Sequence, residues 1–141
     1  MSKLIINLAL FVFLIFFQTN SFGKENFYEK ALNLFKKEKY NEARFLFERN
    51  IVYNPKDANS YLYLAKIYNH EENQRKEEFN LETTLLIDPK NEEALLMLMK
   101  IALKKSNYNR VNELSEIFAK VCINMCDENK EIQESLKNIE P

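Results

Sequence analysis

Residues able to do chemistry are few in this chain, and their spacing does not suit catalysis. His70 is the only histidine among 141 residues, Cys122 and Cys126 are the only cysteines, and Gly23 is the only glycine. No Ser-His-Asp, Cys-His, HExxH or GxSxG arrangement occurs, and one glycine cannot build a phosphate-cradling loop. The acidic neighbours Glu71-Glu72, Glu77-Glu78 and Glu92-Glu93 would point about 100° apart on a helix, so none makes a paired acid–base site. They read as solvated helix surface, and neither an enzyme nor a cofactor is expected. On a continuous helix Cys122 and Cys126 would share a face with Cα atoms ~6 Å apart, within reach of a disulfide. The same spacing also suits two small buried residues at a helix end. Two thiols with no further ligand make a poor zinc site, and the spacing is not the CxxC of redox enzymes.

The elements that carry these residues are marked by a phrase used twice, Tyr53-Asn54-Pro55-Lys56-Asp57 and Ile87-Asp88-Pro89-Lys90-Asn91. Pro55 and Pro89 stand 34 residues apart, with two apolar runs of helical spacing between them. Proline ends a helix because it lacks the N–H and clashes with the preceding turn. Asp57 and Asn91 are then placed to accept the free N–H groups that open the next helix. A fixed period of this length holding two helices predicts a helical solenoid.

Composition agrees. Apolar residues make 46% and charged residues 29%, ordinary for a folded domain. The scarcity of glycine and proline disfavours sheet-rich folds, whose turns need them. A formal net charge of −1 argues against nucleic acid as a partner.

The N-terminus reads as an address. Met1–Lys3 carries one positive charge, Leu4–Phe17 is apolar except for Asn7, and Gln18–Gly23 is polar and ends in small residues. This is the plan of a secretory signal peptide over residues 1–23, cut before Lys24. Such a run rises about 21 Å as a helix, short of a ~30 Å hydrocarbon core. The rival is an uncleaved membrane anchor over residues 4–22, the only route by which this chain would meet a membrane.

From Lys24 onward the chain resembles the tetratricopeptide repeats. Repeat 1, residues 24–57, carries Phe27, Ala31 and Leu34, then Tyr40, Ala43, Phe47 and Pro55. Repeat 2, residues 58–91, carries Tyr61, Leu64, Ala65 and Tyr68, but Glu77 stands where the pattern has a small residue and Gln74 where it has an aromatic. The second helix of this repeat is therefore expected to rotate or shift near its start. Repeat 3, residues 92–126, is degenerate. Leu95, Leu98, Met99 and Ala102 open it, and Tyr108, Val111, Leu114, Phe118, Val121 and Met125 follow at helical steps. Ile123 replaces the closing proline, so this last helix is expected to run on to Cys126. Asp127 then caps a final helix in residues 127–141, with Ile132, Leu136 and Ile139 on one stripe.

The resemblance implies an all-α, right-handed solenoid of about three hairpins plus a capping helix. It implies a scaffold for a protein or peptide partner, as in envelope assembly, in an exported protein; the rival reading is a self-associating structural module. In the resembled family the first helix of each hairpin lines a concave groove, so residues 34 apart stack into columns. Three columns are expected here: Tyr28, Leu62 and Leu96; Leu32, Lys66 and Lys100; Lys36, His70 and Lys104. The family's two-carboxylate clamp is not matched at these places. The expected ligand is instead an amphipathic peptide or helix with acidic flanks.

Overall fold

The computed structural model describes residues 26–137. The leader, its cut before Lys24 and Ile139 lie outside them. Among the described residues seven helices follow in order: α1 Phe27–Lys36, α2 Tyr40–Tyr53, α3 Ala58–His70, α4 Gln74–Ile87, α5 Glu92–Lys104, α6 Tyr108–Val121 and α7 Cys126–Lys137. Consecutive helices pack as antiparallel hairpins, and α7 closes the array against α6 and α5. The architecture is an all-α helical repeat solenoid.

The period is kept to the residue. Helices α2, α4 and α6 each have 14 residues and start 34 apart, as do α3 and α5 with 13 each. The expected shift of α4 is therefore absent. Its first turn is held by Asn73, whose side chain accepts the N–H of Lys76 at 3.2 Å, and Glu77 is buried in place of the small residue. Burial is compensated by a hydrogen bond from the Asn69 side chain at 2.9 Å.

The turn inside each hairpin is the same device three times. Glu38, Glu72 and Ser106 take positive φ, and the N–H of the next residue donates to the carbonyl five residues before it, as from Asn73 to Tyr68 at 2.8 Å. That is a Schellman ending built without glycine.

Between repeats the caps differ. Asn91 accepts the N–H of Ala94 at 3.0 Å, as expected. Asp57 makes no such bond; its carboxylate accepts instead from the side chains of Asn50 and Ser60, both at 2.7 Å. The Asn54 side-chain amide donates to Asn50 Oδ1 at 3.1 Å, completing a partly buried polar network that ties α2 to α3.

The third hairpin ends earlier than expected. Cys122 turns extended with ψ 139°, so α6 stops at Val121 and does not reach Cys126. Helix α7 begins at Cys126, which puts Asp127 inside its first turn rather than ahead of it; Asp127 pairs with Lys130 at 2.7 Å.

Two apolar clusters share α3. Leu64, Ile67 and Tyr68 pack with Ala31, Ala43 and Phe47, whereas Leu62 and Ala65 pack with α4, α5 and α6. Ile132 and Leu136 of α7 join the second cluster. Full burial of each large apolar side chain is worth about 1.5–3 kcal/mol, so α7 is part of the core.

Candidate partner-binding groove

Helices α1, α3 and α5 bring the nine expected groove residues onto related faces, but to different depths. In the first column Leu62 and Leu96 are buried in the second core cluster. Most of that column is therefore core rather than open surface: α3 is flanked on both sides, and its neighbours cover Leu62. Tyr28 is half-buried, with its ring edge-on to Phe47 at 5.8 Å and to Tyr63 at 6.2 Å. Burial, with the neighbouring Tyr63, pushes its hydroxyl up to about 12, so it stays a neutral hydrogen-bonding group at any physiological pH.

The second column is less basic than its sequence. Leu32 packs half-buried against the first cluster. Lys66 lies over the Tyr63 ring at 4.6 Å and pairs with Glu93 at 2.8 Å. That leaves Lys100 as the exposed cation of the column, with no ion pair among the described residues. In the third column Lys36, His70 and Lys104 are all exposed near helix ends. The His70 ring rests 4.3 Å from that of Tyr40, and Lys104 lies close enough to attract the Glu77 carboxylate.

Tyr28 and Leu62 meet Tyr63, Asn59, Glu92 and Glu93 around an open cavity of about 330 Å³, which Asn124 and Met125 also line. Tyr63, Glu93 and the 124–125 wall were absent from the expected columns. Glu93 had a signal: it follows Lys66 by 27 residues, the separation that also joins Arg44 to Glu71 and Glu78 to Lys105 across adjacent repeats. The last two pairs are repeat-equivalents with their charges exchanged. Such partly exposed pairs are worth at most about 1 kcal/mol each and serve mainly to set neighbouring helices in register.

Cys122 and Cys126 form a disulfide with Cα atoms 5.4 Å apart. They are joined across the bend between α6 and α7, not along one helix face. Among the described residues no group of three His, Cys, Asp or Glu side chains is placed to hold a metal ion, and no helix is long and apolar enough to cross a membrane.

The fold is tetratricopeptide-like. The chain is similar to the Yersinia enterocolitica type III secretion chaperone SycD, solved with a peptide of the translocator YopD, at TM-score 0.70 and 16% identity over 86% of this chain and 95% of that one. It is also similar to the Sgt2 TPR domain from Aspergillus fumigatus, at TM-score 0.64 and 16% identity over 83% of each chain. A CopN–Scc3 complex contains a further similar chain, at TM-score 0.64 and 13% identity, with 89% of this chain and 74% of that one covered. Neither a protein-family profile nor a curated protein sequence matches the chain.

Proposed function

We propose that this chain is an exported interaction scaffold that takes a peptide or helix of a partner protein along the groove lined by α1, α3 and α5. The observation that carries the reading is the wall shared by Tyr28, Leu62 and Tyr63. It offers aromatic edges beside a cavity of about 330 Å³. Exposed Lys36, Lys100 and Lys104 lie further along the same helices, towards their C-terminal ends, which favours an amphipathic ligand with acidic flanks. SycD, to which the fold is similar, was solved with a peptide of its translocator; this supports a peptide as the class of ligand here.

Export rests on the leader, residues 1–23, cut before Lys24. A disulfide between Cys122 and Cys126 fits an oxidising compartment. An exported scaffold meets its partners in the cell envelope or outside the cell, where assembly of envelope complexes is a fitting role.

A photo-crosslinking residue placed at Lys100, in the host cell, tests the groove. It should trap one protein that the same residue at Lys120, exposed on α6, does not trap. The same products from both positions, or none from either, would put the binding surface elsewhere. The intact mass of the chain recovered from its host tests the cut. A membrane-bound species retaining Phe11–Phe17 would make residues 4–22 an anchor.

A further inference from the structure

Where α2 ends and α3 begins, beside the start of α1, the surface opens into a second cleft of about 800 Å³. That is within the ~300–1,000 Å³ common for ligand sites. Three carboxamides, Asn26, Asn54 and Asn59, line it with the Asp57 carboxylate and the rings of Tyr28 and Tyr53. One side of this set is already fixed. Asp57 Oδ2 accepts from the Asn50 and Ser60 side chains, both at 2.7 Å, and Asn54 donates to Asn50 Oδ1 at 3.1 Å. The other atoms of the same groups are open. Asp57 Oδ1, Asn54 Oδ1 and the Asn26 side-chain N–H groups make no hydrogen bond among the described residues, nor does the Asn59 side chain. Tyr53 stacks on Phe27 with ring centroids 5.6 Å apart, yet is 63% exposed. Phe27 sets the plane of the ring from one face and leaves the other face bare.

We propose that this cleft binds a neutral saccharide, a pyranose unit of a glycan. Lys56 and Asp57 are the charged residues of its described lining, and their charges cancel, so neither an anion nor a cation is drawn in. The cleft offers neutral donors and acceptors beside a flat apolar plate. A carboxamide has one donating and one accepting end. A sugar hydroxyl does both, so it fits either end and also donates to the open oxygen of Asp57. The C–H face of a pyranose is apolar and suits the bare face of Tyr53. An apolar ligand would leave the carboxamides and the carboxylate desolvated and unpaired. Because Asn50 and Ser60 hold Asp57 before any ligand arrives, little ordering is required on binding. Tyr28 and Asn59 also line the groove cavity, so the two clefts adjoin, but the saccharide site does not rest on the reading of the groove.

Calorimetric titration of the purified chain with cellotriose, maltotriose and chitotriose tests the site. At least one should bind, with amide chemical shifts moving at residues 26–28 and 50–59. Added salt should leave the affinity unchanged, because the ligand carries no charge. Tyr53→Ala should weaken binding about tenfold, whereas Tyr53→Phe keeps the ring and should stay within about twofold. Asn59→Ala removes an exposed side chain with no hydrogen bond to lose. It should weaken binding about fivefold at an unchanged melting temperature, which separates a lost site from a lost fold. Failure of all three sugars to bind, shifts that map elsewhere, or affinity indifferent to both alanine variants would each overturn the proposal. So would equal or tighter binding of an uncharged glycine–serine peptide at the same residues, which would make the carboxamides a main-chain site.

Discussion

Glu92, in the first turn of α5, accepts the backbone N–H of Met125 at 2.8 Å across 33 residues of chain. The same carboxylate accepts from Ile123 at 3.0 Å and Asn124 at 3.1 Å. Three successive amides ahead of α7, left without helical partners by the bend, are met by one anion. Desolvation is the largest single influence and opposes ionisation, but the N–H groups of Met125, Asn124 and Ile123 together outweigh it and hold the carboxyl below its ordinary 4.5. A depressed acid stabilises the fold above its unfolded value, and that contribution is lost as pH falls through the folded value. Glu92→Ala should speed amide exchange at residues 123–125 and through α7 at neutral pH while leaving α1–α2 unchanged. In the unaltered chain the same loosening should appear only below pH 4.5. Unchanged exchange at Met125 in the variant would show that the carboxylate is not the anchor.

Glu77 titrates in the opposite sense. Burial raises its carboxyl above the ordinary 4.5, against the opposing pull of the Asn69 hydrogen bond and Lys104. A raised acid contributes stability below its unfolded value, and this is lost as pH rises through the folded value. Glu77→Gln keeps an acceptor for Asn69 and removes the titration. The variant should therefore gain on the unaltered chain as pH rises above 4.5, read as a widening gap between their melting temperatures from acid to neutral pH. A constant gap would mean that Glu77 ionises in the fold as freely as it does in the unfolded chain.

The three hairpin turns each hold a non-glycine residue at positive φ, 56° at Glu72. Glu72→Gly relieves the clash of Cβ at the cost of a more flexible unfolded chain. The net gain should be about 0.5–1 kcal/mol, a rise of a few degrees in melting temperature. Glycine placed at Asn69, inside α3, should instead cost stability.

The Cys122–Cys126 bridge closes a loop of sequence separation 4, so its entropic contribution is at most about 2 kcal/mol. Alkylation of the denatured, unreduced protein should modify neither thiol. Reduction should lower the melting temperature by only a few degrees, because Glu92 and the burial of Ile132 and Leu136 still hold α7. A collapse of the fold on reduction would show that the bridge is the main tie.

How much of this was legible in the chain divides by range. The 34-residue period, the helix-breaking prolines, the Asn91 cap and the all-α class depend on neighbours within a few residues, and backbone sterics and hydrogen bonding act at that range. Tertiary packing decided the rest. Leu62 and Leu96 carry apolar side chains in groove register, yet both are buried in the core cluster that α3 and α5 share with α4, α6 and α7. Asp57 has the residue type of a cap, but the Asn50 and Ser60 side chains reach its carboxylate first. Cys122 and Cys126 have helical spacing, yet they are joined across a bend whose free amides find Glu92, a partner more than thirty residues back. Lys66 read as part of a basic strip until α5 set Glu93 against it. Local pattern determines which helices form. Which side chains stay open to a partner depends on what the next repeat lays over them.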